Sequence, residues 1–76
     1  MHYTTDILRQ TRARIGRRIH QLRQKKKLPL SKLARLTNIC PLRIDQLELG
    51  KQEIRMDEIL KIACAMGAKA SWFLEP

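Results

Sequence analysis

Three features of this sequence predict an all-α fold of five helices, the first of them extended and basic. Apolar residues recur at three- and four-residue spacings, and no segment alternates with the period of two that a strand requires. Turn-forming residues at Leu28-Pro29, Thr37-Asn38, Gly50 and Gly67 interrupt that pattern often enough to keep every helix after the first short. Of the 76 residues 43 % are hydrophobic, which supplies a small core without staples, so Cys40 and Cys64 are expected as reduced thiols.

The first helix is expected from about residue 6 to 26. Thr4, Thr5 and Asp6 are N-cap types, and Leu8, Ile15, Ile19 and Leu22 form a helical stripe behind them. Gly16 costs about 1 kcal/mol relative to Ala in a helix interior and marks a place to bend or break. Lys25, Lys26 and Lys27 put cations where the helix dipole favours them. Pro29 cannot continue this helix and disfavours helical geometry at Leu28. A second helix, about Leu30 to Leu36, carries Leu30, Leu33, Ala34 and Leu36, and ends in a turn where Asn38 can take positive φ. A third follows Cys40, with Pro41 at its first position, Ile44 and Leu47 three apart, and Gly50 as its C-terminal stop. Met56 opens a fourth, through Ile59, Leu60, Ile62, Ala63 and Met66 to Gly67, and a last turn or two spans Ala70 to Leu74. Cys64, among Ile62, Ala63 and Ala65, reads as a core residue.

Charge is divided unevenly along the chain. Residues 1–35 hold eleven Lys/Arg and one Asp, residues 36–76 hold five Lys/Arg and six Asp/Glu, and the net charge is +9. A basic segment on this scale is the electrostatic footprint of a protein that neutralises nucleic-acid phosphates. An anionic membrane surface is the other physical partner, but the apolar face lacks the Trp and Phe that anchor such helices. No run approaches the ~20 apolar residues of a membrane span, and nothing resembles a signal peptide, so a cytoplasmic protein is expected. A chain this short has little room for an enclosed catalytic cleft. His2, His20, Cys40 and Cys64 lack metal-ligand spacing, and neither a Ser-His-Asp set nor a carboxylate pair is recognisable. No enzymatic activity, metal, cofactor or small-molecule ligand is expected.

Two short helices joined by a three- or four-residue turn, within five helices, follow the helix-turn-helix plan. The residues carrying that plan are Ile15-Gly16-x-x-Ile19-x-x-Leu22-Arg23, Leu33-Ala34, Ile44-x-x-Leu47-Glu48-x-Gly50-Lys51, Ile59-Leu60-Lys61-Ile62-Ala63-x-Ala65-Met66-Gly67 and Trp72-Phe73-Leu74. Over roughly residues 15–74 they resemble the phage repressor and Cro type of helix-turn-helix domain, the lambda-repressor-like fold of many bacterial, phage and plasmid regulators. The resemblance implies a domain over 15–76, with the helix-turn-helix at about 30–50, a recognition helix at about 41–49, and residues 1–14 as a basic helical extension. It implies an internal ion pair between Arg23 and Glu48, with exposed Glu48 as the plainer alternative. It also implies a recognition helix in the major groove of duplex DNA, with Leu42, Arg43 and Gln46 toward the bases. Phosphates would then fall to Arg17, Arg18, Lys32, Arg35, Lys51, Arg55 and the helix start at Leu30. A homodimer pairing two half-sites is implied as well. Trp72, Phe73 and Leu74 are candidates for its seam or for closing the core, and Ile7, Leu8 and Tyr3 of the extension offer another subunit contact.

The chain departs from the family in two respects. Pro29, Cys40, Arg55 and Lys69 stand where Ser or Thr N-caps are usual, and Leu30 replaces a phosphate-gripping Gln. The reading positions are also unusually apolar. Leu42 can touch a thymine methyl, a protein partner or the core. Two functional readings therefore stand: a small DNA-binding transcriptional regulator, or a protein-interaction module whose Leu42 and Leu49 dock a protein, leaving the basic first helix for nonspecific nucleic-acid contact.

Overall fold

The periodicity read from the sequence becomes five α-helices in a computed structural model that describes residues 2–76, with side-chain environments from residue 5 onward. They are α1 (His2–Lys25), α2 (Leu30–Thr37), α3 (Pro41–Glu48), α4 (Met56–Met66) and α5 (Ala70–Leu74). No strand occurs among the described residues.

α1 begins at His2, earlier than the cap types suggest, so Thr5 and Asp6 lie inside the helix rather than capping it. The side chains of Tyr3 and Thr4 fall outside the described residues. The physical reason for the longer helix is that no Gly or Pro interrupts residues 2–15, while Leu8, Arg9, Gln10, Arg12, Ala13 and Arg14 are good helix formers. At about 1.5 Å per residue the 24 residues of α1 make roughly 36 Å. That nearly equals the 38 Å long axis of the molecule.

Gly16 does not break α1, which runs uninterrupted from His2 to Lys25. It is the point where α1 meets the last turn of α3: a Cβ there would overlap the carbonyl oxygens of Leu47 and Glu48, the latter at 2.7 Å. The absence of a side chain lets the two backbones approach.

Four helix ends close in the same way. A residue one or two positions beyond each of these helices takes positive φ, at Lys27, Asn38, Gly50 and Gly67. The next residue's N–H then reaches back five positions: Leu28 to the Arg23 carbonyl, Ile39 to Ala34, Lys51 to Gln46 and Ala68 to Ala63. Three of these stops carry a residue suited to the left-handed region; Lys27 does not.

Ile19, Leu33, Ile44, Ile62 and Phe73, one from each helix, are the largest fully buried side chains and define the centre of the core. Ile59, Ile62, Ala63 and Met66 turn one face of α4 inward. That phase places Leu60 and Cys64, four residues apart, on the opposite face. Cys64 is therefore exposed, contrary to the core position expected of it, and lies with Leu36, Leu60 and Lys61 along a shallow outer depression. Of the three terminal apolar residues, Phe73 belongs to the core while Trp72 and Leu74 each remain more than one-third exposed. The Trp72 and Phe73 rings meet edge to face at 5.0 Å.

Candidate nucleic-acid interface

The helix-turn-helix consists of α2, the turn at Asn38 and Ile39, and α3. Leu33 and Ala34 of α2 and Ile44 and Leu47 of α3 fasten it to the core. Thr37 is buried at the end of α2, and its hydroxyl donates to the Leu33 carbonyl at 2.8 Å.

The second fastening is electrostatic. Arg23 on α1 grips Glu48 at the end of α3 with two donors, Nε to Oε2 at 2.6 Å and Nη2 to Oε1 at 3.0 Å. Its remaining nitrogen, Nη1, donates to the Leu28 carbonyl at 3.0 Å, which ties the end of α1 into the same network. His20 Nδ1 lies 2.9 Å from Glu48 Oε1. Burial pushes the Glu48 carboxyl upward, but hydrogen bonds from Arg23 and then His20 outweigh it and hold the group below the usual carboxylate range. Hydrogen bonding to Glu48, opposed by burial, raises the Arg23 guanidinium above its ordinary value.

α3 presents Leu42 outward, two-thirds exposed, which removes the core as its destination. Gln46 lies one turn further along. Together with Cys40, Arg43 and Gln52 these residues line one open depression of about 350 Å³. Leu49, also exposed, follows at the end of the helix.

Arg43 does not extend outward beside Gln46. Its Nε and Nη2 donate to the two oxygens of Glu58 at 3.0 and 2.9 Å, Nη2 also donates to the Glu53 carbonyl at 2.8 Å, and Nη1 donates to Gln52 Oε1. Glu58 in turn accepts the Arg55 N–H at 2.9 Å and so caps α4 from its third position. The hydrogen bond from Arg43 is the main reason that the Glu58 carboxyl lies below the usual range. A base-reading role given to Arg43 from its position in the helix thus meets a residue already engaged across the α3–α4 connection.

The expected phosphate contacts divide as well. Arg17, Lys32, Arg35 and Lys51 are exposed. Arg55 is exposed but pairs with Asp57 at 3.2 Å. Arg18 instead serves the end of the fold. Its guanidinium donates to the Trp72 carbonyl at 2.9 Å and to those of Glu75 and Pro76, and lies 5.8 Å from the centre of a Trp72 ring. Leu30 is half-buried against the core at the start of α2, where no side chain caps the helix. The first amides of α2 therefore have no side-chain acceptor there.

His20, Gln52 and Glu58 are participants that the sequence pattern did not single out. Glu58 had a local signal, because it occupies the third helical position after Arg55, the capping-box slot. His20 and Gln52 had none. No group of His, Cys, Asp and Glu among the described residues is placed to hold a metal, and no described helix is long and apolar enough to cross a membrane.

The arrangement is that of a helix-turn-helix domain, and comparison with known proteins agrees. A family model described as helix-turn-helix matches residues 19–73. The chain belongs to this family, of the Cro/C1 type. The crystal structure of the clp gene regulator ClgR from Corynebacterium glutamicum is similar to it, with a TM-score of 0.81 at 25 % identity, over 84 % of this chain and 68 % of that one. No curated protein matches.

Proposed function

We propose that this chain is a small transcriptional regulator that binds duplex DNA through α3 as a homodimer. The observation that carries the reading is the combination at α3: a helix clamped to the scaffold through Arg23–Glu48, with Leu42 and Gln46 presented beside an α2 start that no side chain caps. The clamp fixes the helix relative to the start of α2, whose first amides are the phosphate contact in this reading, and direct readout requires such a fixed relation. Gln46 is suited to adenine N6/N7 and Leu42 to a thymine methyl, so A·T pairs are the expected preference. Exposed Arg17, Lys32, Arg35 and Lys51 supply phosphate charge. The half-exposed strip of Leu8, Met56 and Leu74 along α1, α4 and α5 offers apolar area for a second subunit.

Selection of bound sequences from a random duplex pool, with a light-scattering mass in parallel, tests this reading. One enriched motif bound at submicromolar Kd by a dimer is expected, with random duplex bound far more weakly. The exposure of Leu42 and Leu49 favours the protein-interaction module as the second reading. Equal, steeply salt-dependent affinity for every duplex would support that alternative.

A further inference from the structure

Arg43 occupies the first turn of α3, where an arginine could be taken for a guanine reader, yet four hydrogen bonds already engage it. A bidentate guanine contact needs two donors on one edge of the guanidinium. The Nε–Nη2 edge is held by Glu58, and the Nη1–Nη2 edge by Gln52 and the Glu53 carbonyl. Reading a base would strip Glu58 of its charged partner, leaving the Arg55 N–H, while its side chain stays 11 % exposed.

The consequence falls on Gln52. Arg43 can only donate, so it fixes the orientation of the Gln52 amide with the oxygen inward. A free glutamine reads adenine with one donor and one acceptor together. With Oε1 turned inward to Arg43, Gln52 presents its Nε2 donor outward, at the edge of the depression shared with Leu42 and Gln46.

We propose that Arg43 is a positioning residue of the DNA surface, holding the Gln52 amide with its Nε2 donor outward for an acceptor atom of the duplex while sequence reading rests on Gln46 and Leu42. The acceptor is a phosphate oxygen or a groove-edge acceptor, which share this chemistry. The inference rests on the DNA-binding reading above and adds a role to two residues within it.

The test is a double-mutant cycle on the full chain, using the selected duplex and a scrambled one, with thermal melts to show that each variant is folded. Arg43→Met and Gln52→Ala are each expected to weaken the selected duplex roughly fivefold, the size of one lost hydrogen bond. The double variant should lose no more than the weaker-binding single, because Arg43 acts through Gln52. Gln52→Glu, which keeps an acceptor for Arg43 but removes the donor, should lose at least as much as Gln52→Ala. Equal losses on both duplexes identify a phosphate as the acceptor, and losses confined to the selected duplex identify a base edge. Fully additive losses overturn the proposal, as does a motif that loses a guanine in Arg43→Met but keeps it in Gln52→Ala. A wild-type chain that binds all duplexes alike removes sequence reading, but the cycle on that common affinity still decides the phosphate arm; binding to no duplex removes both.

Discussion

Glu48 receives Arg23 and His20 on one buried carboxylate, and this concentrates much of the electrostatic cost and benefit of the fold at one residue. Only 5 % of its side chain is exposed, against 11 % for Arg23, so removing it leaves a guanidinium with little water to replace its partner. Glu48→Ala is expected to destabilise the domain by about 3 kcal/mol, the range for breaking rather than replacing a buried pair. Urea unfolding would measure it, and a loss below about 0.5 kcal/mol would contradict the pairing. The same residue sets an acid limit. Glu48 and Glu58 both titrate lower in the folded protein than an ordinary glutamate, so each contributes stability that is fully present above the unfolded value of about 4.3 and is lost as pH falls through the folded values. The urea midpoint should hold from neutrality to about pH 5 and fall below about pH 4. In Glu58→Gln, which keeps a capping side chain for α4, the fall should be shallower. An unchanged acid profile in that variant would show that the Arg43 contact does not hold Glu58 ionised.

At the scale of elements, the contact between α1 and α3 depends on Gly16. By helix propensity alone Gly16→Ala should stabilise α1 by about 1 kcal/mol. The overlap with the Leu47 and Glu48 carbonyls opposes this, because the obstacle is backbone and cannot rotate away. A net destabilisation of about 2 kcal/mol is expected, the scale of overpacking. A raised melting temperature would show that the helices separate at little cost. Gly16 also illustrates which parts of the fold were legible in the sequence. Helix existence followed from spacing, and the stops at Asn38, Gly50 and Gly67 followed from residues that tolerate positive φ. Lys27 gave no such signal: its left-handed turn goes with the Leu28 N–H reaching back to Arg23 just before Pro29. Gly16 looked like a weakness because its partner, the end of α3, lies some thirty residues away and local propensity carries no trace of it. The engagement of Arg43 left no local signal for the same reason, since Glu58 belongs to the next helix. Cys64 was misplaced through helical phase, where one position separates the buried Ala63 from the outer face.

For the molecule as a whole, position along the chain does not decide which of the basic residues meet DNA. Arg17 and Arg18 are neighbours in sequence and were equivalent as phosphate contacts on charge alone. α1 turns successive residues by about 100°, and this separates their fates. Arg17 is exposed, whereas Arg18 gathers carbonyls in the last turn of α5 and just beyond it and lies against Trp72. A guanidinium that satisfies the end of a helix cannot also release a counterion from a phosphate without abandoning that role. Arg17→Ala should therefore weaken all duplexes alike and reduce the slope of log K against log salt by about 0.9, with little change in the melting temperature. Arg18→Ala should do the reverse: the slope is retained, and the fold loses about 1 kcal/mol as α5 loosens. Salt titrations of both variants on one random duplex, beside their thermal melts, separate the two outcomes. Equal slopes lost in both would return Arg18 to the DNA surface.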